Sequence, residues 1–327
     1  MGIFFYGLRK FDELDICRKL SGEYGVPFAY TEEQFSSDTL PLSKGFDAIS
    51  IMESTSVDAA LLDRAKAAGI QYILCRTIGY DHVDTAHAKK IGLRVSNTGY
   101  PPNSVANYAI MLMLACSRKL KLIIESSRCN DFTLQGKMGL EISDSTVGII
   151  GTGHIGSTVA RHLRGFGCRL LGYDLYRNRD IENFVTYVDL DTLLRESDII
   201  TLHMNATEEN HYLINDETIS KMKDHVILIN TARGKLVDTD ALIRGIKSGK
   251  IGGAGLDVTE NEHKRLNYID QPLDDDKLAI LRSFPNVIHT PHTAFYTEKD
   301  VYDMSKNNFE SYLQFREGKT CPFELTK

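Results

Sequence analysis

The chain contains no tryptophan, few prolines (eight in 327 residues) and no excess of positive charge. Lys plus Arg total 38 against 44 Asp plus Glu, a net charge of −6, which argues against a surface built to grip phosphate backbones. The six cysteines (Cys17, Cys75, Cys116, Cys129, Cys168, Cys321) include no C-x-x-C pair. That spacing fits reduced thiols better than a disulfide framework, and no His, Cys or carboxylate spacing calls for a metal. The longest apolar stretch, near Val105 to Cys116, carries Asn107 and Tyr108 and is too short to span a bilayer. No charged segment followed by an apolar run opens the chain, so a cytoplasmic location is expected. Met1-Gly2 is not read as a myristoylation signal, because Tyr6 stands where Ser or Thr is needed. The sequon Asn205-Ala206-Thr207 is read as chance.

What is present is a regular alternation. Short apolar runs at Gly2–Tyr6, Asp47–Ile51, Tyr72–Cys75 and Leu93–Ser96 predict strands, with helical patterns such as Asp58–Ala67 and Thr85–Lys90 between them. After the Gly99–Ser104 segment, with its two prolines, a long apolar helix follows, for which Asn103 or Ser104 offers a cap. A second series then begins: strands at Thr146–Ile150, Arg169–Tyr173, Asp198–His203, Val226–Asn230, Gly253–Val258 and Val287–Thr290. Helices are predicted at Ile155–Phe166, Leu190–Glu196, Asn215–Met222 and Asp238–Ser248. The polar run from Glu262 to Lys277 is expected to be a surface loop, and the tail after Thr297 an amphipathic helix able to return to the first domain. Strands alternating with helices imply an α/β protein whose parallel sheets are covered on both faces.

The strongest local motif is Gly151-Thr152-Gly153-His154-Ile155-Gly156, directly after an apolar run and opening a helix. Gly151 permits a tight turn, Gly153 admits a pyrophosphate, and Gly156 lets helix and strand pack closely. The N–H groups of His154 and Ile155 then start a helix that faces an anion. Asp174 ends the next predicted strand, near the spacing of about 20 residues expected for a ribose ligand. Its charge disfavours a 2′-phosphate, so NAD is expected over NADP, although Arg177 and Arg179 lie nearby. Polar groups gather where later strands end, at Thr231-Ala232-Arg233, at Asp257 to Glu262, and at His289 to Ala294. Arg233, a carboxylate and a histidine therefore fall on the ligand side of a doubly wound sheet. Glu260 competes with Glu262, and His289 with His292. Cys75 beside Arg76 is read as an inert core thiol.

Taken together, these blocks resemble the D-isomer-specific 2-hydroxyacid dehydrogenases, from the first strand to the last helix. Arg76-Thr77-Ile78-Gly79-Tyr80-Asp81-His82-Val83-Asp84 and Pro291-His292-Thr293-Ala294-Phe295-Tyr296-Thr297 resemble the subgroup of bacterial D-lactate dehydrogenases, including the vancomycin-resistance type. The resemblance implies two doubly wound parallel-sheet domains, a Rossmann-type cofactor domain (101–296) inserted into a flavodoxin-like substrate domain (1–100 plus 297–327). It implies NAD as cofactor and a small 2-oxo acid or D-2-hydroxy acid as substrate. Arg233 would clamp the substrate, His292 would exchange the proton, and Glu262 would orient His292 and favour its charged form. His203, Thr231, Ala232 and Asp257 would join the glycine loop and Asp174 around the cofactor, with Asp257 at the nicotinamide. Ile78 and Gly79 would bind the substrate carboxylate, and Tyr100, Met52, Phe295 and Tyr296 would line its side-chain pocket, with Glu53 and Phe132 as further candidates.

The sequence departs from the family at Met204–Glu209, which lacks the usual proline, and at Asn107, where many relatives carry an acid. D-lactate dehydrogenase leads among the activities. A D-2-hydroxyisocaproate or aryl-lactate dehydrogenase, and a non-catalytic NAD-sensing protein of the same fold, stay open beside it. The long apolar helix after Asn103, together with the resemblance, implies a homodimer joined through cofactor domains.

Overall fold

The computed structural model describes residues 1–52, 56–262 and 273–327. The chain divides into two compact units, Met1–Pro101 with Tyr296–Lys327, and Pro102–Phe295.

The first unit is built on five parallel strands, β1 (Ile3–Phe5), β2 (Phe28–Tyr30), β3 (Ala48–Ile51), β4 (Tyr72–Cys75) and β5 (Arg94–Ser96). Their order is β2-β1-β3-β4-β5, the flavodoxin-like order. Alternate residues of each strand supply two apolar clusters: Phe4, Ile49 and Ile73 belong to one, and Ile3, Phe5, Ala48 and Leu74 to the other. That division follows from the two-residue period of a strand, and it explains why these segments read as continuous hydrophobic runs. The helix Glu298–Arg316 belongs to this unit, where Phe309, Tyr312 and Phe315 enter the second cluster. Tyr312 also donates its hydroxyl to Asp47 Oδ1 at 2.9 Å.

The second unit carries seven parallel strands: β6 (Thr146–Ile150), β7 (Arg169–Tyr173), β8 (Thr186–Tyr187), β9 (Ile199–Leu202), β10 (Val226–Asn230), β11 (Ile251–Leu256) and β12 (Val287–His289). They run in the order β12-β11-β10-β9-β6-β7-β8. This is the dinucleotide-binding order with one strand added, and the direction of winding reverses between β6 and β9. Short polar side chains start many of the helices: Asp58, Asp84, Asp189, Asn215, Asp238, Asp275 and Thr297 each accept a backbone N–H of the first turn.

Three expectations need correction. The long helix runs Asn103–Ser117, but Pro102 occupies its cap position and no side chain caps it, so neither Asn103 nor Ser104 does so. Proline supplies the right backbone angle there without a hydrogen bond. The run taken as a loop to Lys277 contains the start of a helix, Asp276–Ser283, capped by Asp275; residues 263–272 lie outside the described residues. The strand expected at Gly253–Val258 begins at Ile251 and ends at Leu256, which leaves Asp257 and Val258 in the connection beyond it.

Candidate active site

Ligands of doubly wound sheets bind beyond the carboxyl ends of the strands, where the winding reverses. In the second unit that position lies after β6 and β9. Gly151 follows β6 with φ +91°, and a Cβ there would stand 2.5 Å from the His203 carbonyl oxygen after β9. A Cβ at Gly156 would stand 1.9 Å from the Gly151 carbonyl oxygen, so no larger residue fits without movement of the backbone. Gly153 differs. A Cβ there meets nothing within 4 Å, and Gly153 is the cap residue of the helix His154–Leu163 with no side chain satisfying its first N–H groups. Open space over a bare helix start is what a pyrophosphate needs.

Among the described residues, two buried polar atoms just past neighbouring strands lack a hydrogen-bond partner: His203 Nδ1, after β9, and Thr231 Oγ1, after β10. Buried polar atoms are rarely left so, and both fit a site that takes a polar ligand. Burial pushes the His203 imidazole down to about 3, so it is neutral, and its Nε2 lies 2.8 Å from Thr201 Oγ1. Asp174 directly follows β7. Its Oδ2 accepts from Thr152 N at 2.6 Å and from the Thr152 hydroxyl at 3.2 Å, and its Oδ1 from Tyr176 N at 3.0 Å. These bonds tie the acid to the glycine loop and hold it in place. Nicotinamide dinucleotide therefore fits the glycine loop, Asp174, His203 and Thr231.

The three candidate catalytic residues follow three adjacent strands. β10, β11 and β12 are neighbours, with Asn230 opposite Leu256 and Leu256 opposite His289. Arg233, Glu262 and His292 all lie beyond those carboxyl ends, on one edge of the sheet. The Arg233 turn is shaped by Asn230, whose side chain accepts from Ala232 N at 3.0 Å and donates to the Arg233 carbonyl at 2.9 Å. The guanidinium is half-buried and donates to the Ala232 carbonyl at 2.8 Å.

His292 and Glu262 are in contact, with Nδ1 3.1 Å from Oε1, and their side chains are only 16% and 20% exposed. A carboxylate on Nδ1 fixes the orientation of the ring and directs Nε2 the other way. Glu260, the competing acid, is turned elsewhere: its Oε1 accepts from the Tyr212 hydroxyl at 2.5 Å. His289 lies within β12 itself.

His292 has φ +53°, a left-handed conformation that is unusual for a residue other than glycine. Asp257 stabilises it. The Asp257 carbonyl accepts His292 N at 2.8 Å. Its carboxylate, 1% exposed, accepts the Thr290 hydroxyl at 2.6 Å, Thr293 N at 2.9 Å and Ala294 N at 2.9 Å. Tyr108, on the helix Asn103–Ser117, reaches the same loop through Thr293 Oγ1 at 3.0 Å. The Phe295 ring lies edge-on to His292 at 6.2 Å between centroids. Sequence reasoning missed Asn230, Tyr108 and Thr293. An asparagine at a strand end was a readable turn signal for the first, but nothing local links Tyr108 to a threonine 185 residues away.

The remaining candidates belong to the first unit. Ile78 and Gly79 follow β4, where the Ile78 carbonyl accepts from Asn97 Nδ2 at 2.7 Å and the Gly79 carbonyl from the Thr77 hydroxyl at 2.6 Å. Met52 follows β3 and is half-buried, as is Tyr100. Tyr296 donates its hydroxyl to Asp12 at 2.8 Å and lies under the Arg9 guanidinium. Glu53 lies outside the described residues. Cys75 is fully buried and its thiol is pushed up to about 12 by burial, which leaves it unreactive. Among the described residues, no three His, Cys, Asp or Glu side chains are grouped to hold a metal ion, and no helix is long and apolar enough to cross a membrane.

Comparison with known proteins adds four findings. A family model described as D-isomer specific 2-hydroxyacid dehydrogenase, NAD binding domain, matches residues 110–294. A D-specific alpha-keto acid dehydrogenase of Enterococcus faecium is 42% identical over 318 residues, covering 96% of this chain and 97% of the relative. An aromatic 2-oxoacid reductase of Clostridium sporogenes is 39% identical over 325 residues, covering 98% of both chains. Among solved structures, a D-lactate dehydrogenase of Aquifex aeolicus complexed with NAD and lactic acid superimposes with a TM-score of 0.88 at 33% identity, over 97% of this chain and 96% of that one.

Proposed function

The chain belongs to the D-isomer specific 2-hydroxyacid dehydrogenase family, and from that premise we propose that it reduces small 2-oxo acids, with pyruvate to D-lactate as its principal reaction. The observation that carries this reading is the Glu262–His292 contact at 3.1 Å on the same sheet edge as Arg233. When bound, NADH supplies the hydride. Arg233 binds the substrate carboxylate through a planar, permanently charged fork and draws electron density from the reacting carbonyl. His292 delivers its Nε2 proton to the carbonyl oxygen as charge develops there, and in the reverse direction removes it from the hydroxyl. Glu262 holds Nδ1 and keeps the imidazole charged for reduction. Asp257 and the loop it anchors fix the imidazole in place. Asp174 selects NAD by standing where a 2′-phosphate would lie.

The Clostridium sporogenes relative, named for aromatic 2-oxo acids, favours a second reading in which the pocket takes a larger side chain. One methylene changes such a preference by only about 1–3 kcal/mol. The test is a panel of pyruvate, branched and aromatic 2-oxo acids, each with NADH and NADPH, with chiral analysis of the product. Pyruvate giving the highest kcat/KM and D-lactate as product supports the first reading; phenylpyruvate leading supports the second. No turnover of any 2-oxo acid contradicts both.

We further propose a cytoplasmic homodimer. All six cysteines are free, which fits a reducing compartment. In the second unit the helix Leu120–Arg128 has no buried residue, and Leu120, Ile124, Phe132, Leu134 and Met138 are exposed. An apolar surface of that kind is what a second copy would cover. Light scattering that gives the mass of one chain at micromolar concentration contradicts it.

A further inference from the structure

We infer that Glu260 is a positioning residue, clamped by Tyr212 and Thr239 so that Glu262 stays on His292. Its two oxygens are shared between two distant parts of the second unit. Oε1 accepts the Tyr212 hydroxyl at 2.5 Å, while Oε2 accepts Thr239 N at 3.1 Å and also the Thr239 hydroxyl. Thr239 is the first residue of the helix Thr239–Ser248, and Tyr212 is tied back to the segment after Arg233 by its own N–H on the Lys235 carbonyl at 2.9 Å.

Asn261, between the two glutamates, has φ +57°. That left-handed residue sends the flanking side chains in different directions, Glu260 toward the helix start and Glu262 toward His292. Glu262 Oε2 meanwhile accepts Thr259 N at 3.2 Å, which closes a short turn. The base of this turn is pressed against Gly234, where a Cβ would stand 2.2 Å from the Thr259 carbonyl carbon and oxygen. The loop bearing the catalytic carboxylate is thus held at its base by Gly234 and along its length by the Glu260 clamp. The hydrogen bond to Glu260, followed by burial, pushes the Tyr212 phenol up to about 12, so the donor keeps its proton through the working pH range.

Among the described residues, Asp238, Asp240, Asp275 and Lys277 are charged groups near Glu260, with Lys277 bound to Asp240 at 2.7 Å. His292 faces Glu262, with Asp257 beneath the neighbouring loop. Changing Tyr212 or Thr239 leaves every one of these charges in place, so a change in the titration of His292 reports geometry and not lost charge.

This inference rests on the proposed acid–base pairing of Glu262 with His292. The test measures kcat/KM for pyruvate reduction against pH in the wild type, Tyr212→Phe, Thr239→Val, Glu262→Gln and the Tyr212→Phe/Glu262→Gln double variant. Tyr212→Phe is expected to move the alkaline falling limb toward acid by about half a pH unit and to lower kcat about threefold to tenfold, with the KM for NADH within about twofold. In the Glu262→Gln background the same change is expected to move the limb no further, because the two act through one contact. Thr239→Val removes only the hydroxyl bond and provides a second variant should Tyr212→Phe not fold. A limb unmoved by both clamp variants, or moved equally in the double variant, overturns the inference while leaving the acid–base pair intact. A limb unmoved by Glu262→Gln alone overturns the pairing itself, and the inference with it.

Discussion

Replacing Asp257 by Asn changes one atom and removes one charge, yet it is expected to disable the enzyme. The wild-type carboxylate is 1% exposed, with the Thr290 hydroxyl and Thr293 N on Oδ1 and Ala294 N on Oδ2. An amide can keep its oxygen toward Thr290 and Thr293, but its NH2 then faces the Ala294 N–H, donor against donor. The bond lost is charge-assisted and contributes about 2 kcal/mol, and the two that remain weaken as the charge disappears. With about 1 kcal/mol lost at each of those two and about 1 kcal/mol regained by relief of the carboxylate's desolvation, the net loss is about 3 kcal/mol. At roughly 3 °C per kcal/mol in a unit of this size, Tm of the protein without cofactor should fall by about 9 °C. The same carboxylate bonds hold Thr290, Thr293 and Ala294 on either side of His292, whose own N–H, at φ +53°, is held by the Asp257 carbonyl. Releasing them displaces the imidazole, and a displacement near 1 Å costs about a hundredfold in kcat. Thermal melting without cofactor and steady-state reduction of pyruvate measure the two effects. A Tm within about 1 °C of wild type together with kcat within about threefold would refute the anchoring role.

Arg233→Lys keeps the charge and loses the planar fork, so kcat/KM should drop by at least about a hundredfold, largely through weaker substrate binding and poorer polarisation; near-normal kinetics count against the clamp. Asp174→Ala should erode the preference for NAD over NADP, read as the ratio of kcat/KM values, and an unchanged ratio contradicts the ribose contact. His203 is neutral when folded, with its imidazole at about 3 against an ordinary value of 6.5, so its contribution is intact above 6.5 and is lost as pH falls from there toward 3. Between pH 6.5 and 5 the wild type should lose stability at up to about 1.4 kcal/mol per pH unit more than His203→Asn, as followed by denaturant melts, and parallel curves refute this.

The fold was legible where burial on both faces demanded unbroken apolar strands. Val226-Ile227-Leu228-Ile229-Asn230 is buried throughout and could be little else. The missed strands are short edges: Phe28–Tyr30 has three residues, all half-buried, and Thr186–Tyr187 has two, one of them exposed, too few to show a period. The helix Leu120–Arg128 has no fully buried residue and only Lys121, Leu122 and Ser126 half-buried, so its apolar residues do not mark a stripe facing the core of this unit. The helix Leu14–Tyr24 offered only Leu14, Cys17 and Leu20 as a buried face and no side-chain cap at its start, although Gly25 at φ +63° was a readable stop.

In the site, Gly151 and Gly156 were legible because each answers a separate steric demand, and Gly153 because the space over the helix start must stay open. The choice between Glu260 and Glu262 was not, since two acids two residues apart differ only in where an intervening left-handed residue sends them. Geometry separates them: Glu262 meets His292, and Glu260 meets Tyr212 and Thr239. The grip of Asp257 on residues 290–294 was equally hidden, because it joins segments more than thirty positions apart.

The most direct test of the account is the behaviour of His292→Ala in two assays on the same preparation, NADH binding by fluorescence and turnover of pyruvate. The account predicts NADH affinity within about threefold of wild type and kcat reduced by about a thousandfold or more, because the glycine cradle is untouched while the proton donor is gone. Turnover equal to wild type would contradict it.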